Sequence, residues 1–114
     1  MDSMKYVREK LGNKPLIVNG PSKFDLMLAI FEKGKQVDFT LEANNWRIMV
    51  RVEVHTIQVE DGSHESWNLI GYIVGKGAMF QGEPEPCLEP YNQIERVWFK
   101  GYFSSRTRKG TIEF

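Results

Sequence analysis

The sequence has little that could cross-link the chain or bind a metal. Cys87 is the only cysteine among 114 residues, so no intrachain disulfide can form and nothing indicates an oxidising compartment. His55 and His64 are the only histidines, and together with Cys87 they lack a recognised zinc-ligand spacing. We therefore expect no metal and no other cofactor, and a cytoplasmic location is the default.

Long apolar runs are also missing. The N-terminal stretch MDSMKYVREKLGNK is too charged for a secretory signal peptide. No apolar run approaches the ~18 residues that a membrane-spanning helix needs. The sequence therefore predicts no membrane partner.

The sequence also has no overall excess of positive or negative charge. Lys plus Arg and Asp plus Glu both number 15, so the total charge provides no long-range attraction to nucleic acid. The distribution is uneven. Residues 1–52 carry nine basic and six acidic side chains, residues 53–90 one and seven, and residues 91–114 five and two. The ends are therefore basic (+3 each) and the middle is acidic (−6).

What the chain does contain fits one domain over residues 1–114. Apolar residues make up 41% and aromatic residues 12% of the sequence, enough to form a core without metal or disulfide support. The local patterns predict an α+β fold with a curved, mainly antiparallel sheet of about five strands and one principal helix packed on it. A short N-terminal helix ending at Gly12 and an edge strand over residues 14–19 complete the expected elements.

The principal helix is predicted over residues 23–33. Ser22 can cap it, Asp25 stands at the capping-box position, and Gly34 supplies a stop. An apolar stripe is expected to lie on the sheet. Its members are Phe24, Leu28 and Phe31, joined by Met27 and Ile30.

A β-hairpin over residues 37–52 is the strongest local prediction. If Asn44-Asn45 forms a two-residue turn, all apolar cross-strand pairs lie on one face and two complementary ion pairs lie on the other. The expected apolar pairs are Val37 with Val52, Phe39 with Val50, Leu41 with Ile48, and Ala43 with Trp46. The expected ion pairs are Asp38 with Arg51 and Glu42 with Arg47.

Beyond the hairpin, the alternation changes phase near His55-Thr56, which predicts a β-bulge. A strand over residues 66–74 follows, and we expect it to be central and covered on both faces. Residues 75–92 are rich in Gly, Pro and Glu and are interpreted as a long acidic loop. Residues 94–103 and 110–114 are predicted to form a C-terminal hairpin.

The sequence gives little evidence for a catalytic site. Cys87 lies in the predicted loop with no helix N-terminus to lower its thiol pKa, so we assign no nucleophile. Glu83, Glu85 and Glu89 alternate with prolines, and an extended segment of this kind favours a solvated or partner-docking role over catalysis. We assign no catalytic residue.

The C-terminal hairpin carries the pattern most suggestive of binding. On its first strand, Arg96, Trp98, Lys100 and Tyr102 share one face while Val97, Phe99 and Phe103 share the other. Cations beside stacking surfaces suit phosphates, bases or acidic proteins. The alternative is a solvated hairpin with packed aromatics. The complete candidate site is Arg96, Trp98, Lys100, Tyr102, Arg106, Arg108 and Lys109.

Three functions remain open at this point. The first is a non-enzymatic interaction module that binds a protein or nucleic acid through the C-terminal hairpin. The second is a small-ligand carrier or enzyme with a pocket between the helix and the curved sheet. The third is a structural or regulatory subunit whose aromatic strand is buried by a partner or a second copy.

Overall fold

Six antiparallel strands close into a barrel in the computed structural model, which describes residues 4–32, 34–59, 62–82 and 91–114. The helices are α1 (Lys5–Leu11) and α2 (Lys23–Phe31). The strands are β1 (Leu16–Asn19), β2 (Gln36–Ala43), β3 (Trp46–Val59), β4 (Ser66–Gln81), β5 (Asn92–Ser104) and β6 (Lys109–Glu113). The α+β class is confirmed in its sheet-rich, antiparallel form.

Closure of the barrel corrects two expectations. The curved sheet, predicted to have about five strands, has six, and its first strand pairs with its last. The expected edge strand is wrong because β1 pairs with β2 through Leu16 and Glu42 and with β6 through Leu16 and Thr111. Closing a sheet in this way removes edges that would otherwise need protection.

The β2–β3 hairpin is confirmed in every pair. Asn44 and Asn45 both have positive φ angles, 52° and 66°, as a tight two-residue hairpin turn requires. All four apolar pairs and both charged pairs have the expected register. The guanidinium of Arg51 lies 3.0 Å from Asp38, and the Arg47 guanidinium lies 2.6 Å from Glu42.

Further along the chain the predictions hold in part. The bulge is present, since the β3–β4 register shifts between Val54 and Thr56. The acidic loop is wrong over residues 75–81, which continue β4 to Gln81, and over Asn92, which begins β5. Alternating glycines at 75 and 77 did not break this strand because it is paired on both sides over much of its length. Residues 83–90 lie outside the described residues.

Inward-pointing side chains fill the barrel. Phe39, Trp67, Phe99 and Phe103 are all fully buried. The Phe39 and Phe103 rings meet edge to face at 5.7 Å, a favourable aromatic geometry. The Trp67 Nε1 donates to Ser105 Oγ at 3.1 Å, so its polar atom is satisfied at the edge of the core.

The two helices lie at opposite ends of the barrel. Asn44 in the β2–β3 turn donates to the Lys10 carbonyl at 3.0 Å and so fixes the end of α1. Lys23 at the start of α2 donates to the Ser63 carbonyl in the β3–β4 connection at 3.0 Å. Ser22 caps α2 as predicted, accepting from the Asp25 amide at 3.1 Å.

The predicted buried face of α2 is wrong. Phe24 and Phe31 are 69% and 77% exposed, whereas Leu26 is fully buried and Ala29 nearly so. A nine-residue helix with apolar residues around most of its circumference has no unique inner face, so its position beside the barrel end decides which side packs. The helix therefore presents an aromatic surface to solvent.

Candidate functional site

The outward face of β5 is built by strand alternation. Arg96, Trp98, Lys100 and Tyr102 are all exposed, while Phe99 between them is fully buried. Trp98 and Tyr102 keep 48% and 49% of their surface exposed. Along a strand the backbone positions of these two residues are about 13 Å apart, with Lys100 midway. The structure thus brings the four strand members of the predicted site onto one surface.

The neighbouring strands extend this surface. Tyr72 of β4 lies directly opposite Trp98, with ring centroids 5.1 Å apart at 73°. His55 of β3 packs on the other side of Tyr72 at 5.4 Å. An aromatic row therefore crosses three strands, from His55 through Tyr72 to Trp98. We call this row, with Arg96, Lys100 and Tyr102, the β5 face.

Charges on the β5 face are balanced. The Arg96 guanidinium lies 3.2 Å from the Glu53 carboxylate and 5.7 Å from the centre of the Tyr72 ring. Lys100 stands opposite Glu113 in the β5–β6 ladder. Each cation on the strand thus has a carboxylate on a neighbouring strand, which leaves a mixed surface with little net charge.

The remaining basic residues of the predicted site lie around the β5–β6 turn and not on the β5 face. Arg106 lies 3.9 Å from the Glu65 carboxylate, and Lys109 begins β6 opposite Ser104. Arg108 has a positive φ of 61°, and its Nε donates to the Gly20 carbonyl at 2.7 Å. The Arg108 side chain thus ties the turn to the segment before α2.

A second cluster of charged and aromatic groups lies at the start of β5. Arg51 bonds to Asp38 and stacks over the Tyr91 ring, with its Cζ 4.1 Å from the ring centre. Burial, helped by the negative charge of Asp38, raises the pKa of the Tyr91 phenol to about 12. The hydrogen bond that Arg51 donates to Asp38 raises the pKa of Arg51 above its ordinary value. Arg51 thus links Asp38 to the Tyr91 ring beside the start of β5, while the buried Tyr91 hydroxyl has no hydrogen-bond partner among the described residues.

Other candidates gain no support from their positions. Cys87, Glu83, Glu85 and Glu89 lie outside the described residues. His64 sits in the β3–β4 connection with a positive φ of 60°, and its ring contacts Trp67 at 6.2 Å. Within the described parts of the chain, no group of three or more His, Cys, Asp or Glu residues is placed to hold a metal ion.

Among the described residues, no helix is long and apolar enough to cross a membrane.

Comparisons with models of protein families, with curated proteins and with solved structures gave no match. The functional proposal therefore rests on the chemistry of the protein surface.

Sequence reasoning missed His55 and Tyr72 as members of the β5 face, and Glu53 as the carboxylate that pairs with Arg96. Alternation on β4 did separate Tyr72 from the core residue Trp67. The register that sets Tyr72 beside Trp98 had no local signal, because the ten residues between Gln81 and Asn92 are too many for a two-residue hairpin turn to fix it.

Proposed function

We propose that this protein is a non-enzymatic interaction module that binds a partner protein through the β5 face. The observation that carries the proposal is the pair of half-exposed rings, Trp98 and Tyr102, on a strand that is paired on both sides. Exposed Trp and Tyr are costly to leave in water and are the side chains that most often dominate binding energy at interfaces.

The charge pattern favours a protein partner over a polyanion. Interfaces between proteins are enriched in Tyr, Trp and Arg and have polar rims of both signs. The β5 face has this composition, with Arg96 paired to Glu53 and Lys100 opposite Glu113. A phosphate backbone would be repelled by those carboxylates.

Single-stranded nucleic acid is the second candidate because one observation favours it. Lys100 stands between two exposed rings on an open sheet surface, and base stacking on aromatic side chains with nearby cations is the common mode of single-strand binding. This candidate predicts an affinity that falls steeply with salt and depends on Lys100, Arg106 and Lys109.

An interior pocket for a small ligand is opposed by the packing. The barrel interior between the strands is occupied by Phe39, Trp67 and Phe103, all fully buried. Small-molecule sites in barrels usually lie in such interiors or their mouths. A small ligand therefore finds no room inside the barrel, and the open cleft between α2 and β3 is the place that remains for the small-ligand hypothesis.

Affinity capture from source cells tests the proposal with a matched pair of double variants. Trp98→Ala/Tyr102→Ala removes the rings of the β5 face, and Phe24→Ala/Phe31→Ala removes a similar exposed aromatic area from α2. We expect the same protein to be retained by wild type and by the α2 variant and lost from the β5-face variant.

The outcomes separate the candidates. Retention of the partner by the β5-face variant would contradict the proposal. Nucleic acid in place of protein, released by salt and lost with Lys100→Ala, would favour the second candidate. Light scattering on the purified chain distinguishes the remaining hypothesis, because self-association that disappears in the β5-face variant would mean that the partner is a second copy.

A further inference from the structure

A notch in the outer surface of the barrel lies at the end of the β5 face that carries Tyr102. It has a volume of about 270 Å³. The polar and charged residues that line it come from β4, β5, β6 and the segment before β1, and they are Lys14, Asn68, Lys100, Tyr102, Thr111 and Glu113. We call this feature the β6 notch. Because Lys100 and Tyr102 also belong to the β5 face, the notch is continuous with the surface proposed to bind a partner.

Two ammonium groups of the β6 notch have no counterion. Lys14 and Lys100 are both exposed, and within the described part of the chain neither forms an ion pair. They differ in this from Arg96 and Arg106, which are paired with carboxylates. Glu113 is the one carboxylate of the lining, and it stands opposite Lys100 in the ladder without forming an ion pair. The lining therefore carries one net positive charge that the fold leaves uncompensated.

Exposed apolar groups flank the notch on two sides. Thr111 lies in the sheet between Leu16 of β1 and Tyr102 of β5. Leu16 is 54% and Tyr102 49% exposed. Their backbones are two strand spacings, or about 10 Å, apart. The surface thus presents a positive notch between two apolar contacts.

We propose that the β6 notch binds a single carboxylate of the partner protein, from a glutamate or aspartate in an extended segment. The inference rests on the proposed function, because it names the chemistry of the partner at the β5 face. Charges on the two sides of an interface are arranged to be complementary. One uncompensated positive charge suits one carboxylate. A nucleic-acid backbone brings more negative charge than the lining balances, and Glu113 repels the excess.

The apolar contacts define the rest of the segment. In an extended peptide the side chains two positions before and after a residue point the same way as that residue. Those two side chains are about 13 Å apart along the backbone. A segment that crosses the strands can therefore insert its acidic side chain into the notch while apolar side chains on either side reach Leu16 and Tyr102. The expected pattern is apolar, any residue, acidic, any residue, apolar.

A pair of synthetic peptides tests the inference. The probe is acetylated and amidated Leu-Ser-Glu-Ser-Leu, and the control has Gln in place of Glu, which keeps the shape and removes the charge. Each is titrated into the isotope-labelled full chain while amide chemical shifts are recorded by NMR. We expect the Glu peptide to shift the Gly101 and Thr111 amides and to bind roughly three- to tenfold more tightly than the Gln peptide, because it gains two exposed ion pairs.

Charge variants test the role of the notch. Lys14→Gln/Lys100→Gln should bind the Glu and Gln peptides equally. Lys5→Gln/Lys109→Gln is the matched control, since it removes two exposed cations outside the notch, and it should keep the wild-type preference. Glu113→Gln should bind the Glu peptide more tightly than wild type. All five side chains are exposed, so the variants should keep the wild-type urea midpoint.

Several results would overturn the inference. These are equal affinities of the two peptides for wild type, no binding at any concentration tested, and an unchanged preference in Lys14→Gln/Lys100→Gln. Displacement of the Glu peptide by inorganic phosphate at matched ionic strength would assign the notch to phosphate instead. A dimer in light scattering that the Glu peptide dissociates would assign it to a second copy of the chain.

Failure of this inference is distinguishable from failure of the proposed function. The capture experiment with Trp98→Ala/Tyr102→Ala tests the β5 face whatever group enters the notch. If that variant loses its partner while the Glu and Gln peptides bind alike, the carboxylate inference alone fails. If that variant retains the partner, the proposed function fails.

Discussion

Replacing Gly110 with alanine should strain the place where the barrel closes beside the β5 face. A Cβ at Gly110 would overlap the Tyr102 carbonyl oxygen and come within 2.8 Å of the Phe103 Cα. Both are backbone atoms on the paired strand β5, so no side chain can rotate away. The substitution must push β6 away from β5 where Gly110 pairs with Phe103, the residue next to Tyr102.

The expected net loss of unfolding free energy lies between about 0 and 2.6 kcal/mol, toward the upper end because both close contacts are with backbone atoms. Overpacking of this kind destabilises the folded state by about 1–3 kcal/mol. Alanine also restricts the unfolded chain more than glycine does, which offsets about 0.4–1 kcal/mol of that loss. Gly77→Ala is the matched control, because its nearest contact would be the Met49 carbonyl oxygen at 3.8 Å. The control should be neutral or stabilised by about 0.4–1 kcal/mol.

Urea denaturation of the two variants measures the difference. The midpoint should fall for Gly110→Ala and not for Gly77→Ala, with the slope unchanged in both. Equal midpoints would refute the close approach of β6 to β5 at Gly110.

Two further predictions concern packing and pH. Leu26→Ala should cost about 2–5 kcal/mol, whereas Phe24→Ala should change the unfolding free energy by no more than about 0.5 kcal/mol; the reverse order in urea denaturation would restore the face of α2 expected from sequence. Tyr91 has a folded pKa of about 12, above the ordinary value of 10.0, so its contribution to stability is complete below pH 10 and is lost as pH rises from 10 toward 12. Tyr91→Phe should therefore lose less stability than wild type across that interval, and identical alkaline unfolding curves would contradict the assignment.

The β2–β3 hairpin was predictable because its information is local. Asn44-Asn45 sets the turn, and one register alone satisfies both the apolar face and the two ion pairs. Closure of the barrel was not predictable in this way. It depends on Leu16 pairing with Thr111, a contact between opposite ends of the chain that no turn residue or alternation specifies.

The site shows the same division between local and long-range information. Alternation along β5 predicted that Trp98 and Tyr102 share a face, since that depends on strand geometry alone. The charge balance of the β5 face could not be predicted, because Glu53 on β3 pairs with Arg96 on β5 and no local pattern links the two strands. This balance of charge favours a protein partner over nucleic acid.

Fluorine NMR of the chain labelled with 5-fluorotryptophan tests the binding role of the β5 face most directly. The three tryptophans occupy different environments: Trp67 is fully buried, Trp46 is packed against Tyr6 with ring centroids 6.4 Å apart, and Trp98 is half exposed. In extract from source cells, the Trp98 signal should shift or broaden selectively. The effect should survive nuclease treatment and disappear after protease treatment of the extract. A Trp98 signal that stays as sharp as that of Trp67 in untreated extract would contradict a binding role for the β5 face.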